Sequence, residues 1–335
     1  MDALSDVLRT IRLEGALFLN GDFREPWCVA APPAVSMAPL LRPGARHLAI
    51  LHMVMEGRCW IQMPDGEPVS LEAGDVAVLP AGDAHLVGSG MQHAPVSLQH
   101  VVPVKLPEVA QVRYGGDGEP CALVCGWFAY ERDVPNLLLA ALPRLFRVAV
   151  GGRDAGPWLE QSIRYATRQA AAREPGSTAV AARVAESLFV ESLRAYVETL
   201  TAQECGWLAG LRDPQVGRCL ALMHAEPARD WTLETLAQAA HTSRSVLAER
   251  FSGLLGTPPM HYLRRLRLGV AARMLAHERA TLLQVSQAVG YDSEASFSRA
   301  FKLEYGVPPG SWRSGARGPA DAAANPPRPG VSGNP

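Results

Sequence analysis

Long apolar stretches are missing from this chain of 335 residues. It contains no run of eighteen apolar residues, and its first residues, MDALSDVLRT, lack a basic n-region and an apolar h-region. A membrane-spanning helix needs roughly 20 apolar residues, and an export signal needs both of those regions. The sequence therefore predicts a cytoplasmic protein that does not insert into a membrane.

Cysteine is scarce as well, with 6 residues that follow no regular spacing. Such usage is typical of reduced thiols rather than of a disulfide framework. The length favours two domains, each large enough to bury a core. Residues 211–314 hold 13 Arg and Lys against 9 Asp and Glu, whereas residues 1–210 hold 17 against 23. A basic end joined to an acidic end fits a DNA-binding half and a half that stays off DNA.

The stretch TLLQVSQAVGYDSEASFSRAFKLEYGVPPGSWR predicts two short helices joined by a tight turn. Thr281 and Gln284 form a helix-start signature. Gly290 ends that helix because it tolerates a positive φ, and Asp292 or Ser293 can cap the next one. Such a pair can be a helix-turn-helix, whose second helix enters the major groove of DNA. On its own, the pattern is more often an ordinary helical hairpin in an enzyme.

A second copy upstream, from Trp231 to Leu268, favours DNA binding. Its turn is one residue shorter than the later one. Seven residues match at an offset of fifty, which chance hardly produces. The matching pairs are Ser243 and Ser293, Leu247 and Phe297, Phe251 and Phe301, Gly256 and Gly306, Pro258 and Pro308, Pro259 and Pro309, and Tyr262 and Trp312. Leu247 and Phe297 each pair with a phenylalanine four residues on, so we expect them in the core.

The two copies and the ending GYDSEASFSRAFKLEYGVPPGSWR resemble the DNA-binding domain of AraC/XylS-type transcriptional regulators. The resemblance implies that the second helix of each unit contacts DNA, and it implies double-stranded DNA and RNA polymerase as partners. The candidate contact residues are Ser243, Arg244, Ser245, Ala248 and Glu249 in the first unit and Glu294, Ala295, Ser296, Arg299 and Lys302 in the second.

From about residue 16 to 130, short apolar runs alternate with Gly- and Pro-containing turns, which predicts a β-sandwich or barrel. The predicted strands include AVSM, HLAILHMVM, VSLQHVVPV and CALVCGWFAY. Between them Gly74, Pro80, Gly82 and His85 fit the second cupin motif, G-x5-P-x-G-x2-H. The region resembles the sensory cupin domain of AraC-type regulators.

A metal centre is one interpretation of the histidines in this region. Metal-binding cupins supply two histidines and a glutamate in their first motif; here His52 stands for the first, Val54 takes the second place, and Glu56 comes too early. His52 and His85 alone fall short of the three protein ligands typical of a catalytic zinc or iron site. We therefore expect no cofactor, and expect these histidines to be satisfied inside the barrel or to contact a small ligand.

Cys121 and Cys125 lie on one predicted strand, where they share a face but sit about 13 Å apart, too far to bridge directly. They are either two buried hydrophobic residues or a thiol sensor, in which one is oxidised and then resolved by Cys28 or Cys59. The sensor interpretation follows from similar cupin regulators that respond to oxidants. His52 and His85 are the expected cationic neighbours that would lower a thiol pKa, and these four residues form the candidate sensing site.

From Leu137 onward we expect helices, including amphipathic ones over 158–173 and 178–200, whose apolar face either packs on the barrel or forms a homodimer. The predicted domains are a cupin-type sensor (1–135), a helical linker and dimerisation region (136–210), a DNA-binding domain (211–314) and a disordered tail (315–335).

The expected fold class is α+β, with an N-terminal cupin β-barrel, then helices and a C-terminal all-α domain of two helix-turn-helix units. The expected function is sequence-specific transcriptional regulation, with activation as the first hypothesis and repression left open. The signal would act through the cupin domain, either as a small molecule or through cysteine oxidation. The alternative is a cupin-type metalloenzyme, an isomerase or dioxygenase with a helical appendage, against which the incomplete metal set argues.

Overall fold

The computed structural model describes residues 4–5, 14–42, 45, 47–90, 93–102, 109–130, 142–200 and 206–316. The chain divides into two compact units: Leu8–Glu204, called here the sheet unit, and Met1–Val7 with Cys205–Pro335, called the helical unit. The sheet-rich N-terminal part and the helical C-terminal part confirm the α+β class. None of the described helices is long and apolar enough to cross a membrane.

Two sheets make up the sheet unit, and the described strands do not join into one closed barrel. The first sheet has the order β11-β6-β3-β10-β1-β9, and the second has the order β5-β4-β7-β2-β8. The strands are β1 (Glu14–Arg24), β2 (Trp27–Ala31), β3 (Leu48–Glu56), β4 (Arg58–Gln62), β5 (Val69–Glu72), β6 (Asp75–Leu79), β7 (His85–Ser89), β8 (Val96–Ser97), β9 (Ala110–Gly115), β10 (Pro120–Ala129) and β11 (Phe146–Ala149).

The central strands of the first sheet, β3 and β10, are covered on both faces, which explains their long apolar runs. On β10, Leu123 and Cys125 point into the core that is shared with the second sheet. Phe128 points the other way and packs on Phe189 of a long helix, with ring centroids 4.9 Å apart. A strand buried on both sides has no need of alternating polar residues, so β3 and β10 are apolar almost throughout.

Four helices are described in the sheet unit: α1 (Ala34–Leu41), α2 (Leu98–Val101), α3 (Gly156–Ala171) and α4 (Ser177–Thr199). The last two confirm the predicted amphipathic helices. Two predicted strands were wrong, because AVSM lies in α1 and, within the described residues 96–102 of VSLQHVVPV, only Val96–Ser97 is a strand before α2 begins. The helical prediction after Leu137 was wrong for Phe146–Ala149, which pairs with β6 as a strand; residues 137–141 lie outside the described residues.

Eight helices are described in the helical unit: α5 (Trp207–Arg212), α6 (Pro214–Ala225), α7 (Leu233–Ala239), α8 (Arg244–Leu255), α9 (Pro259–His277), α10 (Leu282–Ala288), α11 (Glu294–Tyr305) and α12 (Pro309–Ala316). The pairs α7–α8 and α10–α11 are the two predicted helix-turn-helix units, and α9 connects them. Helix α12 extends two residues into the predicted tail, and residues 317–335 lie outside the described residues.

Side-chain caps define where α10 and α11 begin, as the sequence predicted. Thr281 and Gln284 form a reciprocal capping box at the start of α10. Ser293, rather than Asp292, caps α11 by accepting from the backbone N–H of Ser296. Each cap satisfies a backbone donor that has no partner inside the helix.

Candidate functional site

The second helix of each helix-turn-helix unit buries one face and exposes the other. Leu247 and Phe251 of α8, and Phe297 and Phe301 of α11, are fully buried. The burial of Leu247 and Phe297 agrees with their expected place in the core. Because the apolar side is occupied, only the opposite side of each helix can contact another molecule.

The candidate DNA contacts lie on that opposite side, with two qualifications. Most are exposed, whereas Ala248 and Ser296 are half-buried. The exposed members are Ser243, Arg244, Ser245, Glu249, Glu294, Ala295, Arg299 and Lys302. The hydroxyl of Ser243 already caps α8 by accepting from the N–H of Val246, so its first role is structural.

Sequence reasoning missed two apolar residues on these surfaces. Val246, next to Ser245 in the first turn of α8, is 41% exposed, and Leu303 of α11 is 75% exposed. Val246 aligns with Ser296 at the offset of fifty, so the internal repeat contained the signal. An exposed methyl-bearing side chain on such a surface can contact the methyl group of thymine.

Other arginines near α8 and α11 form ion pairs inside the helical unit. Arg250 pairs with Asp213, the N-cap residue of α6. Arg264 and Arg265 both face Glu304, with N–O distances of 3.7 and 3.1 Å. These contacts make the three arginines structural elements of the unit.

Arg267 and Gly290 hold the two helix-turn-helix units against each other. The Arg267 guanidinium donates to the carbonyl oxygens of Pro227 and Arg229, which precede α7, and to that of Gly290, which follows α10. Gly290 has a φ of +77°, and a Cβ there would lie 2.5 Å from the carbonyl oxygen of Ala228. A larger residue would separate the two units, so this position requires glycine.

Three of the four candidate sensing residues meet inside the sheet unit. Cys125 of β10 lies directly opposite His52 of β3 in the antiparallel pairing. Nδ1 of His52 is 2.9 Å from Sγ of Cys125, and Nε2 of His52 is 2.8 Å from Nε2 of His85. Nδ1 of His85 is 2.8 Å from the carbonyl oxygen of Asp83. We call this series the His–Cys chain.

The positions of the protons in the His–Cys chain follow from its last acceptor. A carbonyl oxygen cannot donate, so Nδ1 of His85 carries a proton and donates to Asp83. Nε2 of neutral His85 then accepts, which requires that Nε2 of His52 donates. Nδ1 of His52 is left to accept the S–H proton of Cys125. Each donor and acceptor therefore has a partner, with both rings neutral and Cys125 in the thiol form.

Burial favours the same protonation states. It lowers the pKa of His52 well below its usual value, and the neighbouring His85 lowers it further. Burial likewise lowers the pKa of His85 and raises that of the Cys125 thiol. The expectation that cationic histidines lower the pKa of this thiol was wrong, because the interior disfavours both charged forms.

Cys121 is not part of the His–Cys chain and interacts with Cys59 instead. The hydrogen bond from the Cys59 thiol lowers the pKa of Cys121, and the same bond raises the pKa of Cys59. The two cysteines come from β10 and β4, which belong to different sheets. All five cysteines among the described residues are free and buried.

The His–Cys chain does not fit a metal ion. His52 uses opposite ring nitrogens for Cys125 and for His85, so the three donors do not converge on one point. No group of three or more His, Cys, Asp or Glu side chains among the described residues can hold a metal.

A cavity of about 530 Å³, part of it at an open mouth, adjoins the chain. His52, His85 and Cys125 form part of its wall, and the rest of the wall is apolar. Helices α1 and α2 contribute Met37 and Leu98. Sequence reasoning missed these wall residues because it treated both helices as strands.

Family models match both halves of the chain. A cupin family model matches residues 2–198, and a helix-turn-helix domain model matches residues 236–315. The solved DNA-binding domain of AdpA, in complex with a target DNA, is 26% identical, covers 34% of this chain and 99% of that chain, and has a TM-score of 0.31.

Relatives extend over nearly the whole length. A putative AraC-like transcription regulator of Streptomyces lividans is 32% identical over 93% of this chain and 98% of its own length. The RCS-specific HTH-type transcriptional activator RclR of Escherichia coli K12 is 28% identical over 95% of this chain and 99% of its own length. With a cupin domain before a helix-turn-helix domain, the chain belongs to the AraC-like family of transcription regulators.

Proposed function

We propose that this AraC-type regulator reads a specific DNA sequence with α8 and α11 and changes its DNA affinity when a signal reaches the sheet unit. The observation that carries the proposal is the duplicated helix-turn-helix, in which both second helices bury their apolar face and expose a polar one. The protein would act in the cytoplasm, where it meets promoter DNA and RNA polymerase.

On α11 the proposed base readers are Arg299 and Lys302, with Glu294, Ala295 and Ser296 nearer the helix start. An arginine can bond to two acceptors of guanine at once. On α8 the readers are Arg244, Ser245 and Glu249, with Ala248 beside them, and we add Val246 as a thymine contact. A glutamate accepts from the amino group of cytosine but repels phosphate if it is misplaced.

The cavity of the sheet unit is the proposed place of the signal. Pockets that bind small molecules are concave, mostly apolar and supplied with few polar groups, and this cavity has that character. A ligand changes DNA affinity only if it binds the two functional states unequally. Helices α3 and α4 pack on each other, and α4 also packs on β1 and β11. These two helices are the proposed dimerisation region.

A second candidate signal is oxidation, supported by the hydrogen-bonded thiols of Cys59 and Cys121. The thiolate is the form that reacts with an oxidant, and the lowered pKa of Cys121 favours it over Cys125. A peroxide would take two electrons from the pair and leave a disulfide and water. One relative is named an RCS-specific activator, which is consistent with a reactive-species signal here.

The first experiment defines the DNA site. Purified full-length protein selects fragments from random DNA, and the enriched sequence is then used in anisotropy titrations. We expect a single motif whose binding weakens at least tenfold when Arg299 and Lys302 are both replaced by Ala. Arg113→Ala, which removes an exposed charge from the sheet unit, is the control. Enrichment of no motif would overturn the proposal.

The second experiment separates the signals. Variants Cys59→Ser, Cys121→Ser and Cys125→Ser are compared with Cys219→Ser, a buried cysteine of the helical unit, for promoter output with and without hydrogen peroxide. If oxidation is the signal, the first two variants lose the response and Cys219→Ser keeps it. If all four respond as the unmodified protein does, the cysteines are packing residues and a small molecule is the remaining signal.

A further inference from the structure

We propose that the cavity of the sheet unit binds an uncharged, mainly apolar molecule that carries one hydrogen-bond acceptor, such as a ketone, and that the indole N–H of Trp27 donates to this acceptor. The inference rests on the proposed signal response and names the chemical class of its ligand.

The wall of the cavity fits a compact, mainly apolar organic molecule. Pockets that bind such molecules are lined predominantly by hydrophobic and aromatic side chains, as this one is. Phe23 and Trp27 stack in the wall with ring centroids 4.3 Å apart. Together with aliphatic side chains such as Val29 and Ile50, they form a surface that favours an apolar ligand, because water leaves such a surface on binding.

The polar groups of the His–Cys chain are already satisfied by one another. Both nitrogens of His52 and of His85 have partners, and the S–H of Cys125 donates to His52. A ligand that bonded to any of these atoms would have to break an existing hydrogen bond. The chain therefore forms a closed, neutral part of the wall and offers no free nitrogen to a ligand.

Trp27 differs from the chain because its donor is unsatisfied. Its side chain belongs to the cavity wall and is 2% exposed. Nε1 has no hydrogen-bond partner among the residues that the structure describes. A buried N–H without an acceptor is costly, and an oxygen of a bound ligand would remove that cost. This donor is the observation that requires an acceptor on the ligand.

A charged ligand is disfavoured because the described wall residues offer it no counter-ion. Among the residues that the structure describes, the wall includes no Asp, Glu, Lys or Arg, and the two histidines are neutral in the His–Cys chain. A carboxylate or an ammonium group placed here would lose its water without gaining a counter-ion. The ligand is therefore neutral, and a single acceptor is enough to match the single free donor.

The experiment compares three probes of similar shape by calorimetric titration of the full chain: butyrophenone, butylbenzene and 4-phenylbutyrate. Butyrophenone should bind roughly two- to tenfold more tightly than butylbenzene, which is the range expected for one hydrogen bond. The carboxylate should bind at least about tenfold more weakly than the ketone. These two differences are measured on the unmodified protein and need no variant.

Two matched variants assign the donor. Trp27→Phe keeps an aromatic ring against Phe23 but removes the N–H, so the ketone should lose its advantage while butylbenzene still binds. Trp60→Phe is the control, because its indole N–H donates to the carbonyl oxygen of Gly90 and it is not part of the cavity wall. It should leave the ranking of the three probes unchanged.

The outcomes separate this inference from the proposed function. Equal affinity for the ketone and the hydrocarbon, tighter binding of the carboxylate, or no binding of any probe would each overturn the ligand class. An altered DNA affinity in peroxide alone would then leave the signal response standing. If butyrophenone binds as expected but DNA affinity stays the same, the ligand class holds and the coupling of the cavity to DNA binding fails.

Discussion

The candidate sites of the sheet unit and the helical unit place their polar side chains in opposite ways. The site in the sheet unit is buried, with His52 6% and His85 3% exposed in a chain that ends at Cys125 beside a cavity. The helical unit buries aromatic and aliphatic side chains and exposes Arg299 and Lys302. One unit is organised around an interior and the other around a surface. Substitutions in the first should therefore change stability and ligand response, and surface substitutions in the second should change DNA affinity alone.

The two helix-turn-helix units show the same contrast on a smaller scale. Their cores correspond residue by residue, and Tyr262 takes the place of Trp312. Their exposed faces differ in charge at each end of the helix, since Arg244 corresponds to Glu294 and Glu249 corresponds to Arg299. Matching cores with different exposed faces would let the two helices read different base pairs, as we propose.

The largest expected effect is on the cores of the two units. Phe297→Ala should cost about 3–5 kcal/mol of folding free energy, and Leu247→Ala about 2–5 kcal/mol, because both side chains are fully buried. Urea denaturation followed by helical circular dichroism measures this, with the exposed Val246→Ala as the control. Loss of DNA binding at an unchanged denaturation midpoint would contradict the assignment of these residues to the core.

A smaller effect, on binding rather than stability, is expected at the surface. Arg299→Ala should weaken specific binding by about 1–3 kcal/mol if the side chain reads a guanine. Its counterpart Glu249→Ala removes a negative charge instead, so non-specific binding should be unchanged or tighter. Anisotropy at several salt concentrations compares the two variants. If Arg299→Ala folds normally and binds as tightly as the unmodified protein, Arg299 is not a contact.

The buried histidines predict a loss of stability in acid. Because the folded pKa of His52 and of His85 is lowered, the unfolded chain binds more protons once the pH falls below about 6.5. The free energy of unfolding is highest above that pH. Below it, this free energy falls by up to about 1.4 kcal/mol per histidine for each pH unit. Melting curves between pH 7.5 and 5.5 test this. His52→Gln should flatten the dependence; an unchanged slope in this variant would argue against neutral buried rings.

The smallest effect is expected at the helix caps. Ser243→Ala and Ser293→Ala should each cost about 1 kcal/mol, since each hydroxyl accepts a backbone N–H at the start of a recognition helix. Thermal melts compare them with Ser311→Ala, an exposed serine in α12. A loss of DNA affinity with no change in melting temperature would instead make these hydroxyls DNA contacts.

The helical unit could be predicted closely because its signals are local. Caps, a glycine turn and apolar spacing each lie within a few residues, and the internal repeat doubles them. In the sheet unit the same approach failed for AVSM and for VSLQHVVPV, since short apolar runs fit a strand or a helix equally well. Pro33 and Ser97 stand at the N-cap positions of α1 and α2 and are typical of helix starts. The sequence prediction gave more weight to the apolar pattern than to these two residues. In Phe146–Ala149 every second residue is buried, which is the pattern of a strand with one covered face. The apolar Phe146 and Val148 already showed this alternation in the sequence.

The site in the sheet unit depends on contacts that no local pattern specifies. The cupin motif predicted that His85 lies inside the sheet unit, and strand periodicity predicted that His52 points inward. The pairing of His52 with Cys125 requires the register between β3 and β10, which are separated by about seventy residues. The unpaired donor of Trp27 is visible only once all of its neighbours are in place. The lowered histidine pKa values follow from the same burial and were unpredictable for the same reason.

The contact of Arg267 with Pro227, Arg229 and Gly290 has a consequence for the DNA site. B-DNA turns once in about 10–10.5 base pairs, so one inserted pair rotates everything beyond it by roughly 34° about the duplex axis. Two units fixed to each other by this arginine, and by the close approach of Gly290 to Ala228, cannot follow that rotation. We therefore expect the operator to tolerate a changed base more readily than a changed length, with the protein measuring the helical phase between two half-sites as strictly as it reads their sequence.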